Sequence, residues 1–458
     1  MKLNRVIWII APLACAATAQ GASFGGLAPA QVYAVGDGPR EGRAADLNGD
    51  GLPDVAVANS LSDDLTVFMN NGDGTLGTPV FYPVGDLPQS VIAADIDGDG
   101  DIDLTVANAN VPSISVLKND GTGAFTTYQT LVLPFQNGYG NIRVHTMADF
   151  DGDGDIDIAM AMLTPNKYVI VTNDGSGTFG SPQVFDETGE FLFPNDLEPA
   201  DFDGDGDIDL ITIYGTTTVR VYLNNGDATW TILPDFDSVA FANRVAPGDL
   251  NNDGIVDIAI ANNQLPGAII VALGNGDGTF GSQATLPSVR PFTLALADLN
   301  DDGNLDLIVS DIPTANTVSV WLGNGDGTFE LPLTYASGGN VPMEISIADM
   351  NGDSWLDVVN VNFQGDNLNV FLNLTVACLA DVTTEGAGVG DPGYGVPDGA
   401  VTSADIQYYV NLYISGDLAA DLTTTGTPIG DPNYGVPDGM VTAADIQFYA
   451  NLYVAGCP

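Results

Sequence analysis

Asp95–Asp103 reads Asp-Ile-Asp-Gly-Asp-Gly-Asp-Ile-Asp, with carboxylates at positions 1, 3, 5 and 9 of a nine-residue loop. Oxygen donors at alternate positions can converge on a cation. With no Cys or His among them, the set suits a hard ion such as Ca²⁺ better than a transition metal. Gly98 and Gly100, at positions 4 and 6, let the backbone turn back tightly, through positive φ where needed. Asp101, at position 7, would add its backbone carbonyl. Position 12 carries no bidentate Glu, so the loop does not belong to a helix–loop–helix calcium hand.

The loop recurs, and its first residues are Asp46, Asp95, Asp149, Asp201, Asp249, Asp298 and Asp349, at steps of 49, 54, 52, 48, 49 and 51. Self-similarity at a period of about 50 residues is the signature of a propeller, a solenoid or an array. In the second copy a short apolar run, Gln89–Ala94, leads into the loop. Leu104–Asn108 and Ile114–Asn119 then alternate like strands, and Thr126–Leu133 supplies a fourth. Four short strands per period, with no helical periodicity, predict the blade of a β-propeller, with the acidic loop in the hairpin between its first two strands.

A second turn recurs after the third strand: Asn71–Gly77, Asn173–Gly180, Asn225–Trp230, Asn275–Gly281 and Asn324–Phe329. Asn-Gly and Asp-Gly supply the positive φ of tight hairpins. No Lys-Ser/Thr follows, so these are structural turns rather than phosphate loops. The aromatic residue that ends most of them is expected between blades. The seventh copy stops one strand short, whereas Ala30–Val35 precedes the first loop and resembles a fourth strand. That N-terminal strand is expected to complete blade seven and leave no open sheet edge.

These repeats resemble the FG-GAP/VCBS family, found in the integrin α-subunit propeller and in many secreted bacterial proteins. The resemblance covers residues 24–374 and implies a mainly β, seven-bladed β-propeller of four-stranded blades. It also implies Ca²⁺ held by loop positions 1, 3, 5 and 9 with the position-7 carbonyl. The ligands would be Asp46, Asn48, Asp50 and Asp54; Asp95, Asp97, Asp99 and Asp103; and Asp149, Asp151, Asp153 and Asp157. The next sets are Asp201, Asp203, Asp205 and Asp209; Asp249, Asn251, Asp253 and Asp257; and Asp298, Asn300, Asp302 and Asp306. The seventh is Asp349, Asn351, Asp353 and Asp357. Copies two, three and four carry four carboxylates, whereas Asn at position 3 should weaken the others. The seventh is expected to be weakest, because Ser354 stands where the others have Gly.

A different repeat fills residues 377–458. Asp381-Val-Thr-Thr returns as Asp421-Leu-Thr-Thr, and Pro397–Tyr413 returns as Pro437–Tyr453. Thr402 and Thr442 stand where they could cap helices with an apolar face such as Ile406, Tyr409, Val410 and Tyr413. A loop followed by a helix, twice, resembles the type I dockerin, a small α-helical module. The resemblance implies Ca²⁺ ligands at Asp381, Thr383, Asp398, Thr402 and Asp405, and at Asp421, Thr423, Asp438, Thr442 and Asp445. It implies a cohesin-like partner as well. The chain departs from that pattern: about a dozen residues, including Gly390–Gly395, intrude between loop positions 3 and 5, and Asp391 or Asp431 could substitute as ligands.

Lys2 and Arg5 precede an apolar run from Val6 to Ala17 and a small-x-small site at Ala17–Ala19. This reads as a signal peptide over 1–19, with Ala22 as the second cleavage choice and Cys15 lipidation disfavoured by Pro12. The protein is therefore expected to be secreted, extracellular or on the cell surface. Cys378 and Cys457 would remain after processing and are expected to pair in a disulfide. No later segment is long and apolar enough to span a bilayer.

The formal net charge of −50, with 10 Lys+Arg, argues strongly against nucleic acid and against anionic membranes as partners. Each Ca²⁺ would cancel two charges, so much of that excess belongs to the metal-free form. The reading is a non-catalytic binding or adhesion scaffold for an unidentified protein or glycan, tethered by its C-terminal module. The alternatives are a lectin-like binder and a polysaccharide-degrading propeller. Against catalysis, His145 is the single His, and Glu187, Glu190 and Glu198 form the one acidic cluster of the repeat region outside the metal loops.

Overall fold

The second strand of each repeat explains the architecture. Asp54–Asn59, Asp103–Asn108, Asp157–Met162, Asp209–Tyr214, Asp257–Asn262, Asp306–Asp311 and Asp357–Asn362 are buried at every residue. A strand covered on both faces must lie inside a sheet that is itself sandwiched between sheets. The computed structural model describes residues 24–133, 142–163, 167–186, 194–214, 218–237, 241–312 and 315–375. Within these lie seven antiparallel sheets in which each buried strand pairs with an inner and a third strand.

The inner strands are Pro39–Ala45, Pro88–Ala94, Ile142–Ala148, Pro194–Ala200, Ala242–Gly248, Pro291–Ala297 and Pro342–Ala348. Each touches the inner strands on both sides, and the seventh touches the first, so the ring is closed. The fourth strands are the most exposed, as Val80–Pro83 illustrates. In the fourth blade an extra pair of residues, Phe236–Asp237, also bonds to the third strand. Gln31–Ala34 pairs antiparallel with Asn367–Phe371, so the N-terminal strand completes the last blade. The seven-bladed propeller of four-stranded blades expected from the repeats is present.

Apolar clusters lie between successive sheets rather than at one centre. Val57, Phe68 and Leu76 of the first blade pack with Val359, Val361 and Val370 of the seventh. Ile96, Ile114 and Val116 of the second pack with Met160, Val169 and Phe179 of the third. The turn aromatics serve these seams: Trp230 meets Phe150 edge-on at 5.9 Å, and Phe280 meets Phe202 at 6.1 Å.

The chain divides into two compact units, the first holding the sheets within 30–298 and 304–372. The described part of the second is 24–29, 299–303 and 373–375, where Leu27 bridges Asn373 and Asn373 Nδ2 donates to the Leu299 carbonyl at 2.7 Å. The expected signal peptide, the 377–458 module with all its proposed ligands, and Cys378 and Cys457 lie outside the described residues. Glu187 and Glu190 do too. Among the described residues no helix is long and apolar enough to cross a membrane.

Candidate functional site

Each acidic loop spans the turn from an inner strand to the buried strand beside it. Its last carboxylate, at position 9, opens that buried strand. Asp54, Asp157, Asp209, Asp257, Asp306 and Asp357 are fully buried, and Asp103 nearly so. Their side chains fasten the loop at both ends. Asp157 accepts the N–H of Phe150, loop position 2, at 3.1 Å and the N–H of Asn173, at the end of the third strand, at 2.8 Å. Asp209 does the same with Phe202 and Asn224, both at 2.8 Å, and Asp54 with Leu47 and Asn70. Each oxygen keeps a second lone pair for a cation.

Position 1 closes the loop from the other side. Asp149 accepts Gly152 N–H at 2.8 Å and Gly154 N–H at 2.9 Å. Asp95 and Asp201 repeat this, as does Asp349 with Gly352 and Ser354. Position 5 accepts from position 7, as in Asp101 N–H to Asp99 at 3.0 Å. The geometry needs a left-handed backbone at position 6, where Gly154 has φ +97° and Ser354 φ +74°. Position 4 needs it too, and there Asn252 (φ +59°) and Asp301 (φ +54°) replace glycine.

These bonds gather the acids before any ion is considered. One carboxylate oxygen from each of Asp95, Asp97 and Asp99 lies within 4.8 Å of the others. The same holds for Asp149, Asp151 and Asp157, and for Asp201, Asp203 and Asp209. These are the three copies with four carboxylates. In the fifth and seventh loops Asn251 and Asn351 donate to Asp253 and Asp353 at 2.9 Å. In the first, Asn48 accepts Asp50 N–H at 2.9 Å. Three convergent hard oxygens fit Ca²⁺ in the third and fourth loops, with the position-9 carboxylate among them.

The electrostatics say the same. Burial, opposed by the backbone N–H groups and aided by neighbouring carboxylates, pushes Asp157 and Asp209 up to about 7. Asp54 and Asp103 rise to about 6 for the same causes. The charge gathered here is strained without a counter-ion, and a bound divalent cation would remove that strain. The second loop has a partial substitute: Lys118 Nζ lies 2.7 Å from Asp97 and donates to the Ser176 carbonyl at 2.6 Å. Burial works against the charge of Asp97, but Lys118 holds its carboxyl below the usual range.

Several residues were not singled out by the loop pattern. Asn70, Asn119, Asn173 and Asn224 each donate Nδ2 to the position-2 carbonyl of the preceding blade: Met350, Leu47, Ile96 and Phe150. In blades five and six Gly274 and Gly323 stand at that place, and the N–H groups of Gly278 and Gly327 reach Phe202 and Leu250 instead. His145 is buried on an inner strand with Ser90 Oγ at 2.5 Å and Thr105 Oγ1 at 2.9 Å, and burial lowers it to about 3. Arg43 pairs with Glu41 at 2.5 Å, and Arg244 with Asp196 at 2.8 Å and Glu344 at 3.4 Å. Glu198 shares that inner-strand cluster, and burial raises it well above the usual carboxylate range. Alignment of the repeats backward from position 1 places these charged residues five, or for Arg43 and Glu198 three, residues before it.

The similarity to known proteins follows the same repeats. The chain is similar to a chain in the crystal structure of BBS1N in complex with ARL6DN, soaked with lead, at TM-score 0.54 and 14% identity, over 77% of this chain and 98% of that one. The mercury-soaked form gives TM-score 0.55 at 12% identity, with the same coverage. A lectin of Agrocybe aegerita that recognises non-reducing terminal N-acetylglucosamine gives 0.48 at 21% identity, over 74% of this chain and 87% of that one. Among curated proteins none matches. The FG-GAP-like repeat matches six times, at 46–106, 95–160, 149–212, 201–260, 249–309 and 298–359, each match opening on a position-1 aspartate. The chain therefore belongs to the FG-GAP-like repeat family.

Proposed function

We propose that this protein is an exported, calcium-stabilised β-propeller that serves as a non-catalytic binding scaffold. One observation carries the reading: in three loops, three carboxylate oxygens lie within 4.8 Å of one another on a frame of backbone N–H bonds. Such a frame is pre-paid order for a hard cation, and the cation offsets repulsion that the metal-free loop must bear. Asn at position 3 lowers ligand charge in four of the loops, and in the second Lys118 already pairs with Asp97, so the third and fourth loops bind most tightly. The ring itself presents rigid loops around a fixed core, which suits recognition.

The N-terminal pattern over 1–19 supports export to an extracellular or cell-surface setting. The paired loop–helix repeats over 377–458 support a dockerin-like, Ca²⁺-binding module, tethered through a cohesin-like partner. The ligand of the propeller is a protein or a glycan. Elemental analysis of the exported chain after exhaustive dialysis tests the reading. Several Ca²⁺ per chain, with one of them bound more weakly in Asp151→Asn, is the expected result; a metal-free chain would sink it.

A further inference from the structure

Every inner strand slips register at its second residue. A bulge there bends the strand and re-aims one side chain. The seven residues so displayed around the axis begin, in blade order, with Arg40, Gln89 and Arg143. The bulge lies at the start of a seven-residue strand and the acidic loop follows its end, roughly 20 Å away.

Arg40, Arg43, Arg143 and Arg244 are four of the chain's 10 Lys+Arg, so its scarce positive charge is concentrated on the inner strands. Two of the four are spent. Arg43 is held by Glu41, and Arg244 by Asp196 and by Glu344. Arg244 and Glu344 belong to blades five and seven, so their contact skips a blade. Arg40 and Arg143 make no ion pair among the described residues. Arg40 lies over the Phe363 ring at 4.5 Å, and its Nε is buried without a hydrogen-bond partner. Burial and then the charge of Arg244 lower the proton affinity of both, and Arg40 adds to the shift of Arg143, which falls to about 10. A desolvated guanidinium with no acceptor is costly, and a ligand oxygen would relieve it.

We propose that the channel mouth at the bulged ends of the inner strands binds a single carboxylate group, taken up by Arg40 and Arg143. Guanidinium forks match a carboxylate in plane. A singly charged ligand is preferred over a phosphate dianion, because Glu41, Asp196 and Glu344, the acids paired with Arg43 and Arg244 on the inner strands, would repel the second charge. The mouth is at the opposite end of the strands from the acidic loops, so this site stands or falls independently of calcium.

The test is calorimetric titration of the full chain, calcium-saturated and at fixed ionic strength, with glucuronate, glucose and inorganic phosphate. The expected result is glucuronate binding with a Kd of about 1 mM, no glucose binding, and weaker phosphate binding. Arg143→Gln and Arg40→Gln should each weaken glucuronate about tenfold, whereas Arg220→Gln, on the outer part of blade four, should change nothing. Should Arg143→Gln lose its near-ultraviolet circular dichroism, Arg143→Lys, which keeps the charge but not the fork, should bind several-fold more weakly than wild type. Glucuronate that fails to bind, glucose that binds equally, or folded Arg143 variants that bind like wild type would overturn the assignment.

Discussion

Asn173 donates Nδ2–H to the carbonyl of Ile96, 77 residues earlier, at 2.7 Å, and so joins the third blade to the acidic loop of the second. The same residue gives its backbone N–H to Asp157, the last carboxylate of its own loop. Loop and blade seam are therefore one bonded unit. Asn173→Ala should leave the buried Ile96 carbonyl unpaired and cost about 1–3 kcal/mol, read from the urea midpoint. An unchanged midpoint would mean that the seam is held by apolar packing alone.

Positions 3 and 9 of the third loop should separate ligation from structure. Asp151→Asn removes charge from a crowded, half-buried carboxyl and should lower Ca²⁺ affinity while leaving stability in chelator unchanged or higher. Asp157→Asn puts an N–H donor against Phe150 N–H or Asn173 N–H, so it should cost about 1–3 kcal/mol even in chelator. Calcium titration and urea melts of both variants distinguish the roles; equal behaviour in chelator would contradict the dual role of position 9.

Ser354 carries φ +74° at the place where Gly206 carries φ +97°. A side chain there is strained, so Ser354→Gly should stabilise the protein by about 1 kcal/mol in urea melts. Gly206→Ala should destabilise by about 1–2 kcal/mol, and for backbone reasons alone, since a Cβ at Gly206 would meet nothing within 4 Å. Destabilisation by Ser354→Gly would show that the seventh loop relaxes differently.

His145 is buried in its neutral form, lowered to about 3 from an unfolded value of 6.5. The unfolded chain binds the proton first, so this contribution is complete above pH 6.5 and is lost as pH falls toward 3. Between pH 6.5 and 5 the loss should reach about 2 kcal/mol. His145→Gln should flatten that part of the stability profile; a variant with the wild-type acid slope would contradict the burial argument.

Much of this was legible from residue types. The Asp-x-Asp/Asn-x-Asp pattern at one period pointed to seven blades, and the likeness of Ala30–Val35 to a fourth strand foretold the closing pair with Asn367–Phe371. The copies written with four carboxylates are those whose acids converge within 4.8 Å. What escaped was whatever depends on neighbours far apart in sequence. Asn119 looks like an ordinary turn residue until the blades stack and bring Leu47 to it. Arg244 and Glu344 lie 100 residues apart, and only ring closure sets them face to face. Nor does a one-residue bulge show in a hydrophobic pattern, so the displayed arginines were not visible from the strands.

The most direct measurement is thermal unfolding of the processed chain in millimolar Ca²⁺ and in excess chelator. If the acidic loops are calcium sites that brace the blades, chelation should lower Tm by roughly 10 °C or more, and added Ca²⁺ should restore it. The same Tm in both solutions would contradict the account, leaving the loops as hydrogen-bonded turns whose carboxylates hold the backbone and nothing else.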